Sequence, residues 1–225
     1  MKKIGFVGLG NMGTGMSINL SLEGHDVLGF DINDEIFQRL KNSNVKKASS
    51  IEHLTNETDI IITMLPDGST VKKVWKEIFK YSKVKQYLFD CSTIDVKTSL
   101  EIQNEAKEKK LLTLDAPVSG GVIGADNGTL TFMVGGDINV YNEIQFLFDI
   151  MGKNSILCGE IGAGQSAKIC NNMLLATTMI AVGESFELGK NLGLNLNKLY
   201  DVLSTSSGSC WAINTYCPIK GVGPK

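Results

Sequence analysis

The sequence is poor in the residues that build metal centres and covalent frameworks. It has two histidines in 225 residues, and its five cysteines (Cys91, Cys158, Cys170, Cys210, Cys217) are odd in number and contain no C-x-x-C pair. Structural metal and a disulfide scaffold are therefore not expected, and reduced thiols fit best. Long apolar runs are also missing. The longest, Met173 to Val182, falls well short of a bilayer span and leads into Glu184. Met1-Lys2-Lys3 ahead of Ile4 to Val7 imitates a signal peptide, but the run is too short and enters a glycine turn instead of a cleavage site. A net charge of -2 gives no reason to expect nucleic acid as a partner, nor a membrane; the lysine clusters at Lys72-Lys73 and Lys107 to Lys110 read as solvated helix faces. Repeats and low-complexity tracts are absent. With 43% hydrophobic and 20% charged residues, the chain can bury a sizeable core.

What is present begins at the first turn. Gly8-Leu9-Gly10-Asn11-Met12-Gly13 has the spacing G-x-G-x-x-G and follows the apolar run Ile4 to Val7. A strand entering such a turn and a helix leaving it make a pyrophosphate cradle. One glycine gives the turn, the next admits the anion to the backbone, and the third lets helix and strand pack closely. Asp31 closes the next strand, 18 residues beyond Gly13. A carboxylate there accepts bonds from the adenosine ribose hydroxyls. With no arginine in Asp31-Ile32-Asn33, NAD is favoured over NADP; the alternative is an ordinary strand-end aspartate capping a turn.

Short β-branched runs alternate with helical segments through the first part of the chain. Strands are expected at 3–7, 25–31, 59–64, 86–90, 111–115, 129–134 and 155–158. Helices are expected at 11–23, 34–41, 69–80 and 95–109, with another following Asp137. Asp59-Ile60-Ile61-Ile62-Thr63-Met64 is the continuous apolar strand typical of a sheet covered on both faces. The alternation predicts an α/β fold with a doubly wound, mostly parallel sheet of Rossmann type over residues 1–162. From Gln165 to Leu192 one long helical stretch follows, with shorter helices at 197–204 and 210–216, so residues 163–225 read as a helical domain.

Several loops at strand ends carry candidate chemistry. Met64-Leu65-Pro66 with Asp67 to Thr70, and Cys91-Ser92-Thr93, leave strands where a nucleotide fold lines its cofactor. In Asp115-Ala116-Pro117-Val118-Ser119-Gly120-Gly121 two glycines after a serine expose backbone N–H groups to an anion such as a carboxylate, unless the segment is only a flexible turn. In Gly162-Ala163-Gly164-Gln165-Ser166-Ala167-Lys168-Ile169-Cys170-Asn171-Asn172, residues Lys168, Asn171 and Asn172 share one helix face. A lysine withdrawn from water has a lowered pKa and serves as acid or base near neutrality; otherwise it is a surface lysine snorkelling over the helix start. His25 and His53 lie away from these loops, so a histidine proton shuttle is not expected. Tyr81 and Lys85 match Y-x-x-x-K by coincidence in a lysine-rich segment.

Four ordered motifs, Gly5 to Gly13, Asp115 to Gly121, Gly162 to Met173 and Ser206-Ser207-Gly208-Ser209-Cys210-Trp211, make the sequence resemble the 3-hydroxyisobutyrate dehydrogenases of the β-hydroxyacid dehydrogenase superfamily over essentially its whole length. The resemblance implies NAD-dependent oxidation of 3-hydroxyisobutyrate to methylmalonate semialdehyde in valine breakdown. It makes Lys168 the catalytic general acid/base and Asn172 its orienting partner. Ser119, Gly120 and Gly121 hold the substrate carboxylate; Gly8, Gly10, Asn11, Met12, Gly13, Asp31, Leu65, Pro66, Thr70 and Thr93 line the cofactor. Trp211 matches an aromatic near the substrate entrance, or else is a buried core residue. Family members continue for several tens of residues past the position of Lys225, with a further lysine and aspartate that help close the site. The helical domain is therefore expected to be incomplete here, and homo-oligomerisation is expected of a complete one. The resemblance implies the mitochondrial matrix in a eukaryote, and the cytoplasm in a bacterium or where the protein has no presequence. Competing readings are a reductase of tartronate or succinic semialdehyde, and a nucleotide-binding module without catalysis.

Overall fold

A computed structural model describes residues 1–224. The chain divides into two compact units, Met1–Lys168 and Ile169–Lys225.

In the first unit the elements run β1 (Lys3–Val7), α1 (Asn11–Leu22), β2 (Asp26–Phe30), a 3-10 turn (Asp34–Gln38), β3 (Lys46–Lys47), α2 (Ile51–Glu57), β4 (Ile60–Thr63), α3 (Gly68–Tyr81), β5 (Tyr87–Asp90), α4 (Val96–Glu108), β6 (Leu112–Asp115), β7 (Val118–Ser119), α5 (Gly121–Asp126), β8 (Leu130–Gly136), α6 (Ile138–Met151) and β9 (Gly152–Gly159). The sheet order is β3-β2-β1-β4-β5-β6-β8-β7, with β9 pairing to β8. Strands β3 to β6 in that order are parallel. This is the doubly wound, mostly parallel sheet that the alternation of strand and helix predicts. Helices lie on both faces, which is why β4 reads as an unbroken apolar run. Ile60 and Ile62 enter one buried cluster with Leu20, Phe89 and Phe148, and Ile61 enters another with Val71, Trp75 and Ile102.

Helix starts follow the sequence closely where a side chain can cap them. Ser50, Asp67, Asp95 and Asp137 each accept a bond from an N–H two or three residues on, fixing the starts of α2, α3, α4 and α6. The segment expected as a helix over residues 34–41 is instead the short 3-10 turn. Residues 34–38 contain no fully buried side chain, although Ile36 and Phe37 pack partly against the core and Leu40 is buried just beyond the turn. One strand is reversed within this mostly parallel sheet. β8 runs antiparallel to β6 and to the two-residue β7, and parallel to β9. The short helix α5, placed between β7 and β8, begins at the glycine pair expected as a turn.

Helix α7 spans Ala163–Asn191, starting in the first unit and continuing through the second. In the second unit α8 (Leu196–Thr205) and α9 (Trp211–Asn214) complete a small core in which Val182 and Phe186 of α7 meet Ala212, Ile213 and Val222. Among the described residues no helix is long and apolar enough to cross a membrane, and no group of three metal-ligating side chains is found.

Candidate active site

Strand order turns back on itself at β1, which has β2 on one side and β4 on the other. In such sheets ligands bind outside the carboxyl ends of the strands at this switch point. The loop Gly8 to Gly13 leaves β1 at that place. Gly8 N–H donates to the Phe30 carbonyl of β2 (2.9 Å), and Met64 N–H donates to the Val7 carbonyl (2.9 Å), tying three strand ends together. Helix α1 then begins with no side-chain cap at Gly10 and no acidic residue in its first turn, so its N–H groups and partial positive charge are left for an anion. A methyl group built on Gly10 would meet nothing within 4 Å, whereas one on Gly13 would lie 1.9 Å from the Gly8 carbonyl oxygen. The open side at Gly10 and the close packing at Gly13 fit a pyrophosphate.

Asp31 stands at the end of β2, half-buried. Its Oδ2 accepts from Leu9 N–H (2.7 Å) and its Oδ1 from Asn33 N–H (2.8 Å). The carboxylate thus braces the glycine loop. Arg39, the one arginine of the chain, donates to Asn11 Oδ1 (3.2 Å) from beyond the 3-10 turn. A search for arginine next to Asp31 misses it, because the turn brings it back over the loop.

The next three strand ends hold a buried polar row. Register aligns Val7 with Thr63, Thr63 with Asp90, and Asp90 with Asp115. Asp90 Oδ1 accepts from Thr63 Oγ1 (2.7 Å) and Ser92 Oγ (2.6 Å), and Trp75 Nε1 donates to Thr63 Oγ1 (3.1 Å). Ser92 Oγ in turn accepts from Leu65 N–H (2.8 Å). The loops bearing Leu65, Pro66 and Thr93 are held from below by this row. Thr70 sits in the first turn of α3, where its N–H bonds Asp67 (2.8 Å). None of Thr63, Asp90, Ser92 or Asp115 stands out by spacing. Thr63, Asp90 and Asp115 each close a strand, and Ser92 and Asp115 belong to segments whose signal comes from their neighbours Thr93 and Ser119 to Gly121.

Burial pushes the Asp90 carboxyl up to about 6, against the opposing pull of bonds from Ser92 and Thr63, and its Oδ2 is buried without a partner. A carboxyl raised in the folded state binds its proton there more tightly than in the unfolded chain. Stability from this group therefore falls as pH rises from about 4 through 6, and the full span is about 3 kcal/mol. Asp90→Asn, neutral at every pH, is expected to remove this dependence. Urea unfolding of the two proteins between pH 4.5 and 7.5 measures it, and parallel curves would count against a raised Asp90.

The loop after β6 carries Ser119, paired in β7 with Thr131, then Gly120 and Gly121, both at positive φ. Gly121 has open space on its Cβ side. Lys168, on α7, is only 9% exposed, and burial alone pulls its ammonium below the ordinary lysine value, with no charged partner contributing. It is not a snorkelling surface lysine. Asn171 and Asn172 follow in the next turn of the helix, exposed, with Asn171 Nδ2 donating to Asn172 Oδ1 (3.4 Å). Trp211 is exposed and stacks on Tyr216, so the buried-core alternative for it fails. The first unit thus gathers the glycine loop, Asp31, Leu65, Pro66, Thr70, Thr93 and the Ser119 loop along one sheet edge, together with the start of α7. Asn172 and Trp211 belong to the second unit.

Comparison with known proteins decides the family. Residues 3–159 match the NAD binding domain of 6-phosphogluconate dehydrogenase, and residues 162–221 match the NAD-binding domain of NADP-dependent 3-hydroxyisobutyrate dehydrogenase. A Dictyostelium discoideum protein named probable 3-hydroxyisobutyrate dehydrogenase, mitochondrial, is 43% identical over 98% of this chain and 70% of its own length. This chain belongs to the 3-hydroxyisobutyrate dehydrogenase family. A Mycobacterium bovis family member is 42% identical over all of this chain and 76% of its own. The solved structure of Mycobacterium tuberculosis 3-hydroxyisobutyrate dehydrogenase with L-serine superposes with a TM-score of 0.95 at 42% identity, covering 100% of this chain and 77% of that one. Family members named mitochondrial and bacterial members both occur among the relatives.

Proposed function

We propose that this chain is an NAD-dependent 3-hydroxyisobutyrate dehydrogenase, forming methylmalonate semialdehyde in valine breakdown. The observation that carries this reading is Lys168, a lysine withdrawn from water and from charge partners in the helix that follows a dinucleotide-type sheet. Oxidising a secondary or primary alcohol needs a base for the hydroxyl proton and an acceptor for the hydride. A bound nicotinamide supplies the second. Lys168 supplies the first: desolvation raises the share of neutral amine near neutral pH, and the amine takes the hydroxyl proton. Asn172 is assigned the orienting role one turn further along the same helix. Ser119, Gly120 and Gly121 are assigned to the carboxylate of the substrate, since a hydroxyl and two backbone N–H groups suit an anion. Gly8, Gly10, Asn11, Met12 and Gly13 hold the pyrophosphate, Asp31 the ribose, and Leu65, Pro66, Thr70 and Thr93 the nicotinamide side. Residues 1–162 serve as the dinucleotide-binding domain and 163–225 as a helical one. The reading places the enzyme in the mitochondrial matrix of a eukaryotic cell or the cytoplasm of a bacterial one.

The test is initial rates for the native chain and Asp31→Ala, in oxidation of 3-hydroxyisobutyrate with NAD and NADP and in reduction of methylmalonate, tartronate and succinic semialdehydes with NADH and NADPH. The native chain is expected to prefer NAD and NADH, and methylmalonate semialdehyde among the aldehydes. Asp31→Ala is expected to relax discrimination against NADP by about 1–3 kcal/mol, the scale of a charge-assisted hydrogen bond. Loss of the loop brace to Leu9 affects both cofactors and cancels in the ratio. A preferred aldehyde other than methylmalonate semialdehyde would overturn the reading, and an unaltered cofactor ratio would overturn the role of Asp31.

A further inference from the structure

The start of α7 is fastened to the strand ends by buried polar groups that catalysis itself does not use. Asp115 Oδ1 accepts from Gly162 N–H (2.7 Å) and its Oδ2 from Gln165 N–H (2.8 Å), so one carboxylate satisfies two free donors at the helix start. Gly164 lets the two elements come this close. A methyl group there would lie 2.3 Å from the Met133 carbonyl oxygen and 2.7 Å from that of Asp115.

The side chain of Gln165 reaches the other way. Its Nε2 donates to the Ser92 carbonyl (2.8 Å) and its Oε1 accepts from Ile94 N–H (3.1 Å). The amide therefore grips the backbone on both sides of Thr93, and the side chain is fully buried. Donor and acceptor on one rigid plane, both used, define one position of the β5–α4 loop relative to the helix start. Ser92 continues the chain downward to Asp90 and across to Leu65 N–H.

We infer that Gln165 is a positioning residue that fixes Lys168, three residues further along the helix, against the loop carrying Thr93, so that base and cofactor side are held in one register. The inference rests on the reading of Lys168 as the proton acceptor. Distance between base and reacting centre governs the rate steeply, about a hundredfold for a displacement near 1 Å. Both side-chain bonds of Gln165 go to the backbone of Ser92 and Ile94, and neither occupies the side chain of Thr93 or any other group assigned to the cofactor. Its loss is thus expected to spare cofactor binding and to slow the chemical step.

Gln165→Leu removes both bonds at nearly constant volume. It is expected to lower kcat about a hundredfold, to leave the NAD dissociation constant nearly unchanged, and to increase the primary deuterium isotope effect on kcat. A 15N titration of the Lys168 ammonium, its resonance identified by its absence in Lys168→Ala, is expected to move up towards an ordinary lysine as the helix start loosens and admits water. That readout does not depend on turnover. Gln165→Glu, which keeps the length and the acceptor for Ile94 but loses the donor to Ser92, is expected to fall between the two and stands in if the leucine variant does not fold. Unchanged kcat and isotope effect, an unmoved Lys168 titration, or a fall in kcat matched by lost NAD affinity would each overturn the inference. Lys168→Ala run in parallel separates the two claims. If it retains turnover, the reading of Lys168 fails; if it is inactive while Gln165→Leu is normal, only the role of Gln165 fails.

Discussion

Lys168→Ala is expected to lower kcat for 3-hydroxyisobutyrate oxidation by about a thousandfold, within the range for losing a general base, while NAD titrates nearly as in the native chain. The expectation follows from what Lys168 does and does not touch. Only desolvation moves its pKa, with no charged partner contributing, so its removal breaks no ion pair. Asp31 bonds the glycine loop, Ser92 bonds the β4 loop, and Gln165 holds the β5 loop, so none of these bonds runs through Lys168. Lys168→Arg provides the control. A guanidinium keeps the charge but does not release its proton in the accessible range, and so is expected to be as inactive as alanine. In the native chain the oxidation rate is expected to rise with pH, as the ammonium, already easier to deprotonate than a free lysine, gives up its proton. Steady-state rates and fluorescence titration with NADH measure both quantities. Turnover close to native in the alanine variant would remove Lys168 from the mechanism.

Gly13→Ala is the second large effect. Its methyl group would stand 1.9 Å from the Gly8 carbonyl oxygen and 3.0 Å from the Phe6 ring, so α1 or the loop must move. Overpacking of this kind costs about 1–3 kcal/mol of stability. Displacing the free N–H groups of α1 forfeits bonds to a charged ligand worth about 1.5–3 kcal/mol each, so NAD affinity is expected to fall tenfold to more than a hundredfold. Gly10→Ala separates the two causes. Gly10 has an ordinary φ of -59° and open space on its Cβ side. Stability is expected to hold there while the methyl group occupies the approach of the pyrophosphate. Calorimetry of binding, with urea unfolding alongside, distinguishes them. Equal NAD affinity in all three proteins would remove the loop from the cofactor site.

The parts of the fold legible in the sequence are those governed by neighbours in the chain. The run Ile60 to Thr63 declares a strand covered on both faces, and the strand before Gly8 with the helix after it frames the glycine loop. Ser50, Asp67, Asp95 and Asp137 mark helix starts within three residues of themselves. The residues 34–41 mislead because their apolar spacing suits one helical turn as well as a full helix, and Ile36, Phe37 and Leu40 reach the core from a short 3-10 turn. Reversal of β8 depends on β7, two residues long, which carries no periodicity to read. The polar row is hidden for another reason. Thr63, Asp90, Asp115 and Gln165 are spread over a hundred residues and meet only through strand register and the close approach at Gly164. Lys168 is legible from its motif, but the extent of its burial, on which the proposed role rests, is not.

The row beneath the loops has a thermodynamic consequence. Leu65 N–H, Ser92 and the backbone on both sides of Thr93 already have their partners in the free chain. A ligand arriving there meets surfaces whose conformational entropy was surrendered during folding. Ordering a mobile side chain on association costs about 0.5–1.5 kcal/mol, and here much of that cost falls on the folding equilibrium. The buried hydroxyls and carboxylates are thus a store of preorganisation, making the protein somewhat less stable in isolation and its binding less demanding of order.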